Sequence, residues 1–123
     1  MKKTYCSIDY PFTANKMYAP IARGKMVKSR QYNNWLQKNK EIIKKNLLPP
    51  QEFPIEIQLT IFSNYDWMNK NDIDNLIKPT IDLLVKSEIL PDDSTKYIQN
   101  VNIKHIWMTG YPMLAITYLP IEK

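Results

Sequence analysis

Residues 55–61 constrain the fold more than any other stretch, because they alternate strictly between apolar and polar side chains. Successive side chains of a β-strand point to opposite faces, so this alternation predicts a strand with one buried face. A face of this kind must be covered by other elements, and 123 residues suffice for one compact domain with one core. The apolar positions are Ile55, Ile57, Leu59 and Ile61, separated by Glu56, Gln58 and Thr60.

One helix is predicted before this strand in the sequence and one after it. Ser29 can cap a helix that runs to about Asn46 and is stopped by Pro49-Pro50. Asp74 can cap a second helix that runs to about Glu88. Apolar residues recur at helical spacing in both segments. They are Tyr32, Trp35, Leu36, Ile42, Ile43 and Leu47 in the first helix, and Ile77, Ile81, Leu84 and Val85 in the second.

Three further strands complete the predicted fold, over residues 3–9, 101–107 and 114–118. The order β-α-β-α-β-β predicts one α+β domain over residues 1–123, with a mixed or antiparallel sheet of about four strands and two helices on one face. Residues 10–28 carry Pro11, Pro20 and Gly24 and are predicted to form a long irregular loop. Long ordered loops in small domains are often functional.

The large aromatic residues and the single histidine have predicted positions in this fold. Trp35 and Trp107 are expected in the core, and Trp67, which lies in a polar segment, is expected at the surface. His105 falls on the buried-face pattern of the strand at residues 101–107, together with Val101 and Ile103. We therefore expect His105 to have a structural role rather than to act as a catalytic base.

Cysteine content and hydropathy bear on the cellular compartment. Cys6 is the single cysteine, which excludes an internal disulfide, fits a reducing compartment and favours a small buried strand residue. No apolar run approaches the ~18 residues that cross a bilayer. Asp9 interrupts any signal-peptide core. We expect an intracellular, cytoplasmic protein.

Positive charge is concentrated in one part of the chain. The net charge is +5, from 17 lysines and arginines against 12 aspartates and glutamates. Nine basic residues lie between Lys16 and Lys45, where only Glu41 opposes them. Such a block attracts a polyanion, nucleic acid first and an acidic membrane surface second. A solvated helix face with a basic loop is the alternative.

Two aspartates, Asp72 and Asp74, flank Ile73. In an extended segment residues i and i+2 point the same way, so both carboxylates would face one side and Ile73 would point into the core. Neighbouring carboxylates repel each other unless a cation lies between them, and Mg²⁺ prefers oxygen ligands. A third ligand from Asp92-Asp93 requires the chain to return to the start of the second helix. Alternatively, Asp74 only caps the helix and the other three acids are solvated.

Lys78 lies one helical turn after Asp74 and one turn before Asp82. This spacing favours a ladder of i,i+4 ion pairs, worth about 0.2–0.5 kcal/mol each. It equally allows the Lys78 ammonium to face a phosphate and to offset the charge that develops during its cleavage. The spacing alone leaves both interpretations open.

These residues form a pattern with a known counterpart. The run Asp72-Ile73-Asp74-Asn75-Leu76-Ile77-Lys78-Pro79, then Asp82, Leu83 and Leu84, then Asp92-Asp93, resembles the RusA family of Holliday-junction resolvases, the crossover junction endodeoxyribonucleases. The run Tyr10-Pro11-Phe12-Thr13-Ala14-Asn15-Lys16 is similar to the family's proline-rich stretch that ends in Asn and a basic residue. The resemblance covers most of the chain in order and in length.

The resemblance implies a Mg²⁺-dependent endonuclease, with Mn²⁺ as a substitute ion. Such enzymes are bacterial or phage-encoded homodimers that cut four-way DNA junctions symmetrically in recombination and repair. It assigns metal binding to Asp72, Asp74 and Asp93 and an essential role in cleavage to Lys78. Asp82 and Asp92 are candidates for orienting the metal-binding aspartates and Lys78 without binding the metal themselves.

DNA contacts are expected from two segments and from the basic block. The resemblance implies that the loop at residues 13–16 and the segment before Asp72 contact DNA. That second segment is often strongly basic in the family, whereas here Lys70 is its single basic residue. The candidate DNA-binding residues are Thr13, Asn15, Lys16, Arg23, Lys25, Lys28, Asn69 and Lys70.

Three other functions are compatible with the residues. The first is a DNA-binding module without chemistry, in which the aspartates only cap and solvate. The second is a metal-dependent nuclease that acts on flaps, replication forks or RNA. The third is a scaffold whose basic helix binds an acidic protein partner.

Overall fold

The computed structural model describes residues 5–8, 11–13, 17–22, 25–64, 72–110 and 112–121. It confirms the α+β class and the predicted order of elements, with one addition. Residues 17–28 contain two short strands where a long irregular loop was predicted. The elements are β1 Tyr5–Ile8, β2 Tyr18–Ala22, β3 Lys25–Lys28, α1 Arg30–Asn46, β4 Ile55–Ser63, a 3-10 helix Ile73–Leu76, α2 Ile77–Lys86, β5 Ile98–Trp107 and β6 Met113–Pro120.

Four of the strands form one mixed sheet in the order β1-β6-β4-β5. β6 pairs antiparallel with both β1 and β4, whereas β4 and β5 are parallel. Parallel neighbours require a crossover connection, and the segment containing α2 supplies it. β2 and β3 form a separate two-stranded antiparallel hairpin.

β4 is the centre of the core, as its alternation predicts. Every second residue of this strand is buried from Ile55 to Ser63, and the residues between are half-buried. Ile57 is fully buried, and its neighbours Ile55, Leu59 and Ile61 are each 1% exposed. Burying an aliphatic side chain of this size contributes about 1.5–3 kcal/mol, so these four residues together make a large contribution to stability.

α1 begins and ends where the sequence predicts. The Ser29 hydroxyl caps the helix by accepting a hydrogen bond from the Tyr32 backbone N–H at 3.1 Å. Lys44 and Lys45 lie in the last turn, where positive charge interacts favourably with the helix dipole. Trp35 is 8% exposed, which confirms its predicted place in the core.

The predicted burial of Trp107 is wrong, because β5 forms an edge of the sheet. Trp107 is 51% exposed, and Val101 and Ile103 are only half-buried. The alternation in β5 resembles that of β4, but an edge strand is covered less fully than a central one. His105 is also half-buried, and its Nε2 lies 2.5 Å from the hydroxyl oxygen of buried Ser63, a contact that supports a structural role.

Cys6 is buried in β1, as expected, and burial raises the pKa of its thiol. The hydroxyl of Tyr118 in β6 donates to the carbonyl oxygen of Leu48, just beyond the end of α1. No helix formed by the described residues has the length and apolar character needed to cross a membrane.

Candidate active site

The acidic turn, residues 72–74, does not have the extended geometry that the sequence suggests. Asp72 is extended, with φ −86° and ψ 140°, but the 3-10 helix begins at the next residue. The Asn75 backbone N–H donates to the Asp72 carbonyl oxygen at 3.2 Å. Because helical winding starts here, the two carboxylates are not placed on one side by strand alternation, and that part of the prediction is wrong.

Two further expectations for the acidic turn are also wrong. Asp74 lies inside the 3-10 helix and does not cap α2, whose preceding residue Leu76 makes no side-chain capping bond. Ile73 is 43% exposed, whereas Leu76 is fully buried and anchors the segment in the core. The short winding carries Ile73 outward, because the tight 3-10 turn presents a different residue to the core.

Asp72 and Asp74 are both exposed at this turn. Asp72 makes no side-chain capping hydrogen bond, and neither aspartate takes part in the ion pairs formed within the described part of the chain. Their carboxylates are therefore accessible to a ligand from solution.

The chain returns to the start of α2 through a reversal at the end of this helix. The Ile89 N–H donates to the Leu84 carbonyl at 3.0 Å, and the Glu88 N–H donates to the Val85 carbonyl at 3.1 Å. Glu88 has a positive φ of 63°. This pair of bonds is the Schellman arrangement, in which one left-handed residue turns the chain back over its own helix. The reversal ends α2 and allows the following segment to run back toward the first turn of that helix, where Asp93 contacts Lys78.

Asp93 meets Lys78 in the first turn of α2. Lys78 Nζ lies 3.2 Å from Asp93 Oδ2 and 3.0 Å from Asp82 Oδ1. The hydrogen bond to Asp82, followed by that to Asp93, raises the pKa of the Lys78 ammonium. The bond from Lys78 in turn lowers the pKa of the Asp93 carboxyl. One lysine therefore bridges two carboxylates that are distant in sequence.

The predicted ladder of ion pairs along α2 is half right. Lys78 pairs with Asp82 at i,i+4, but Asp74 is absent from the ion pairs of the described residues. Asp74 belongs to the 3-10 helix, which has about 3.0 residues per turn, so a residue four positions later no longer faces it.

Asp92 and Asp93 have different environments. The Asp93 backbone N–H donates to Asp92 Oδ1 at 2.6 Å, so the Asp92 carboxylate is engaged within its own turn. The Asp93 carboxylate instead faces Lys78. The structure thus brings Asp93 to Lys78 in the first turn of α2 and engages Asp92 within its own turn, while the metal-binding role of Asp93 stays a prediction.

Tyr32 of α1 is a member of the site that sequence reasoning missed. Its hydroxyl donates to Asp82 Oδ2 at 2.7 Å, across 50 residues of sequence. We call Tyr32, Asp82 and Lys78 the lysine anchor. Tyr32 fits the apolar stripe of α1, and nothing in the local pattern distinguishes it from an ordinary core aromatic residue. Its role is visible only once α1 and α2 are packed together.

The donor chemistry at the site suits a divalent ion, although the described residues form no assembled cluster. Among the described residues, no group of three or more His, Cys, Asp or Glu side chains is arranged to hold a metal. Asp72 and Asp74 offer exposed carboxylate oxygens, the ligands that Mg²⁺ prefers. Asp93 is paired with Lys78, so it would have to exchange this partner to bind an ion.

Few of the candidate DNA-binding residues can be placed. Asn15, Lys16, Arg23, Asn69 and Lys70, like Trp67, lie outside the described residues, and Lys25 is located only as the first residue of β3. Lys28 is exposed, and its Nζ lies 5.8 Å from the centre of the Tyr32 ring. Thr13 is only 6% exposed, which leaves little of its side chain for DNA, and its contact stays a prediction.

Comparison with known proteins adds one finding. A model of the protein family described as "Endodeoxyribonuclease RusA" matches residues 10–117, which include the acidic turn, the lysine anchor and Asp93. No curated protein matches the chain.

Proposed function

The chain belongs to the RusA family of endodeoxyribonucleases, and from this premise we propose that it is a Mg²⁺-dependent enzyme that resolves four-way DNA junctions. The observation that carries the proposal is the return of Asp93 to Lys78, in the first turn of the helix that follows the acidic turn. Asp93 lies 15 residues from Lys78 in the chain, and their contact brings one candidate metal ligand to the lysine that would face the phosphate.

Asp72, Asp74 and Asp93 are the residues that would hold the ion in this proposal. When bound, Mg²⁺ supplies Lewis-acid stabilisation of the phosphate and lowers the pKa of water, and Mn²⁺ has the same capacity. Lys78 places an ammonium beside the same phosphate, where it offsets the negative charge that grows during cleavage. Asp82 holds that ammonium at 3.0 Å, and Asp92 orients the turn that carries Asp93.

The basic block supplies the surface for DNA. Lys28, at the end of β3, contacts the ring of Tyr32. The Tyr32 hydroxyl donates a hydrogen bond to Asp82, which in turn pairs with Lys78. The exposed basic residues Arg30, Lys38 and Lys45 belong to α1, the helix that contains Tyr32. Neutralising phosphates with such residues releases counterions, so we expect binding to weaken steeply with salt.

A homodimer suits the proposed substrate. A four-way junction has approximate two-fold symmetry and needs two strands cut, and a C₂ dimer presents two identical sites. Sedimentation analysis of the free protein and of its complex with a junction measures this state. A monomer in both conditions contradicts symmetric cutting by a dimer.

The decisive experiment measures cleavage of an immobile four-way junction with Mg²⁺, with Mn²⁺ and with EDTA. Linear duplex, replication fork and flap of matched sequence are the control substrates. We expect paired nicks in the junction, dependent on the metal, and little cleavage of the duplex. Equal cleavage of forks or flaps contradicts junction selectivity, and tight binding without cleavage under any metal indicates a DNA-binding module instead.

A further inference from the structure

The hydroxyl of Tyr32 begins a short chain of hydrogen bonds that ends at Lys78. It donates to Asp82 Oδ2 at 2.7 Å, and Asp82 Oδ1 lies 3.0 Å from Lys78 Nζ. Each carboxylate oxygen of Asp82 therefore has a different partner. A carboxylate held at both oxygens cannot rotate freely, so the tyrosine fixes the direction from which Asp82 holds the lysine.

Tyr32 is a rigid starting point for this chain. Its side chain is fully buried, and its ring lies 5.2 Å from that of Phe12 and 6.2 Å from that of Trp35, centre to centre. Its backbone N–H is held by the Ser29 cap at 3.1 Å. A buried residue restrained in backbone and ring transmits its position to the group that its hydroxyl contacts.

The two carboxylates that contact Lys78 differ in how firmly they are held. The Asp82 side chain is 19% exposed and has the second bond from Tyr32. The Asp93 side chain is 49% exposed and is itself a candidate metal ligand. The contact with Asp93 is therefore the exchangeable one, whereas the contact with Asp82 has no competing task.

We propose that Tyr32 is a positioning residue, which acts through Asp82 to hold the Lys78 ammonium in place when Asp93 turns to another partner. This inference rests on the proposed function, in which Lys78 acts at the phosphate. Tyr32 also contacts Phe12, which directly precedes the loop at residues 13–16, and Lys28, which belongs to the basic block. The DNA-facing segments and the catalytic lysine thus share one support.

Tyr32→Phe tests this role, because it removes the hydroxyl and keeps the ring. Tyr118→Phe is the matched control: Tyr118 is 7% exposed, and its hydroxyl also makes one described hydrogen bond, to the Leu48 carbonyl. Measuring ¹³C relaxation of the Lys78 Cε methylene reports the order of that side chain without any need for activity. We expect Lys78 to lose order in Tyr32→Phe and to keep it in Tyr118→Phe.

Cleavage of the four-way junction gives the second measurement. We expect kcat to fall by about tenfold to a hundredfold in Tyr32→Phe, with KM unchanged, because a small misplacement of a catalytic group slows the reaction without weakening binding. In an Asp82→Ala background the same substitution should have no further effect, since Asp82 is the intermediary.

The outcomes separate this inference from the proposed function. Unchanged order of Lys78 in Tyr32→Phe, or a loss of kcat no larger than in Tyr118→Phe, overturns the positioning role. A full effect of Tyr32→Phe in the Asp82→Ala background also overturns it. A wild-type protein that cleaves no DNA contradicts the proposed function, and the order of Lys78 then decides by itself whether the anchor exists.

Discussion

The acidic turn ends four residues before Lys78 of the lysine anchor, yet the side chains of the two groups are held in opposite ways. Lys78 is held by Asp82, which is held by a fully buried tyrosine. Asp72 and Asp74 are exposed and form none of the ion pairs found among the described residues. One half of the site is anchored in the core, and the other half is open to solution.

The difference separates a side chain that the protein itself positions, Lys78, from two carboxylates that a bound ion would have to position, those of Asp72 and Asp74. A lysine that must face a reacting phosphate gains from being oriented in advance, because no reorganisation is then needed during the reaction. Carboxylates that bind an ion are better left without protein partners, because every such partner competes with the ion. The contrast predicts that substitutions in the two halves differ in their effects on cleavage, metal response and stability.

The largest effect is expected at the open half. Asp72→Asn and Asp74→Asn should each reduce junction cleavage by at least the ~10²–10³-fold typical of losing one stabilising group from an active site. The melting temperature should not fall, because neither carboxylate belongs to an ion pair of the described residues. Single-turnover cleavage and thermal unfolding measure the two quantities.

Undiminished cleavage by Asp74→Asn would remove that residue from the metal-binding set. A substantial fall in melting temperature would show that the turn is not open in the sense described, and would erase the contrast between the two halves.

The next effect is expected at Lys78. Lys78→Met retains the length of the side chain and removes its charge, so we expect cleavage to fall by about 10²-fold while junction binding changes little. Lys86→Met is the matched control, because Lys86 is an exposed lysine in the last turn of the same helix. Equal losses in the two variants would mean that Lys78 contributes only general positive charge.

A smaller effect is expected when Mg²⁺ is added to the protein without DNA. An ion that binds only the folded state, and is present at a concentration ten times its Kd, stabilises that state by about 1.4 kcal/mol. Wild-type protein should therefore melt at a higher temperature with Mg²⁺ than with EDTA, and Asp74→Asn should respond less. Differential scanning calorimetry measures both shifts, and identical responses would contradict metal binding at the acidic turn.

The smallest effect is expected for the stability contributed by Asp93. Lys78 lowers the pKa of the Asp93 carboxyl. The stabilisation is therefore fully present above the pKa of an aspartate in the unfolded chain, about 3.9. It is lost as the pH falls through the lower pKa of Asp93 in the folded protein. Because the pair is exposed, screening by water makes the contribution small. Asp93→Asn should thus melt slightly below wild type at pH 6, with the gap closing as the pH falls below the ordinary range of an aspartate and in high salt.

A gap that widens on acidification would reverse this sign and exclude the ion pair with Lys78 as its source. A large gap at pH 6 would place Asp93 in the anchored half of the site instead of between the two halves.

Elements with a strong local pattern were predictable from the sequence. β4 shows strict alternation, and α1 has both a capping serine and a double-proline stop, so the local physics of each element is complete within its own residues. The hairpin of β2 and β3 was missed, because its strands of five and four residues are short and β2 contains Pro20.

Burial in β5 and the composition of the site could not be read from local patterns. β5 alternates much like β4, but its position at the sheet edge follows from the order of the strands. Asp93 contacts Lys78 near the start of α2, while the bond between Tyr32 and Asp82 joins residues 50 positions apart. Tertiary packing creates this bond, and no spacing rule anticipates it.

The reversal after α2 has a practical consequence for protein engineering. A glutamate occupies its left-handed position, where glycine is the residue with the least strain, and its contact with Lys44 is a solvent-exposed pair at 3.8 Å. Replacing Glu88 with glycine would relieve the backbone strain at the bend after α2, and it would leave every residue of the site unchanged. Thermal robustness can therefore be sought there, independently of the chemistry.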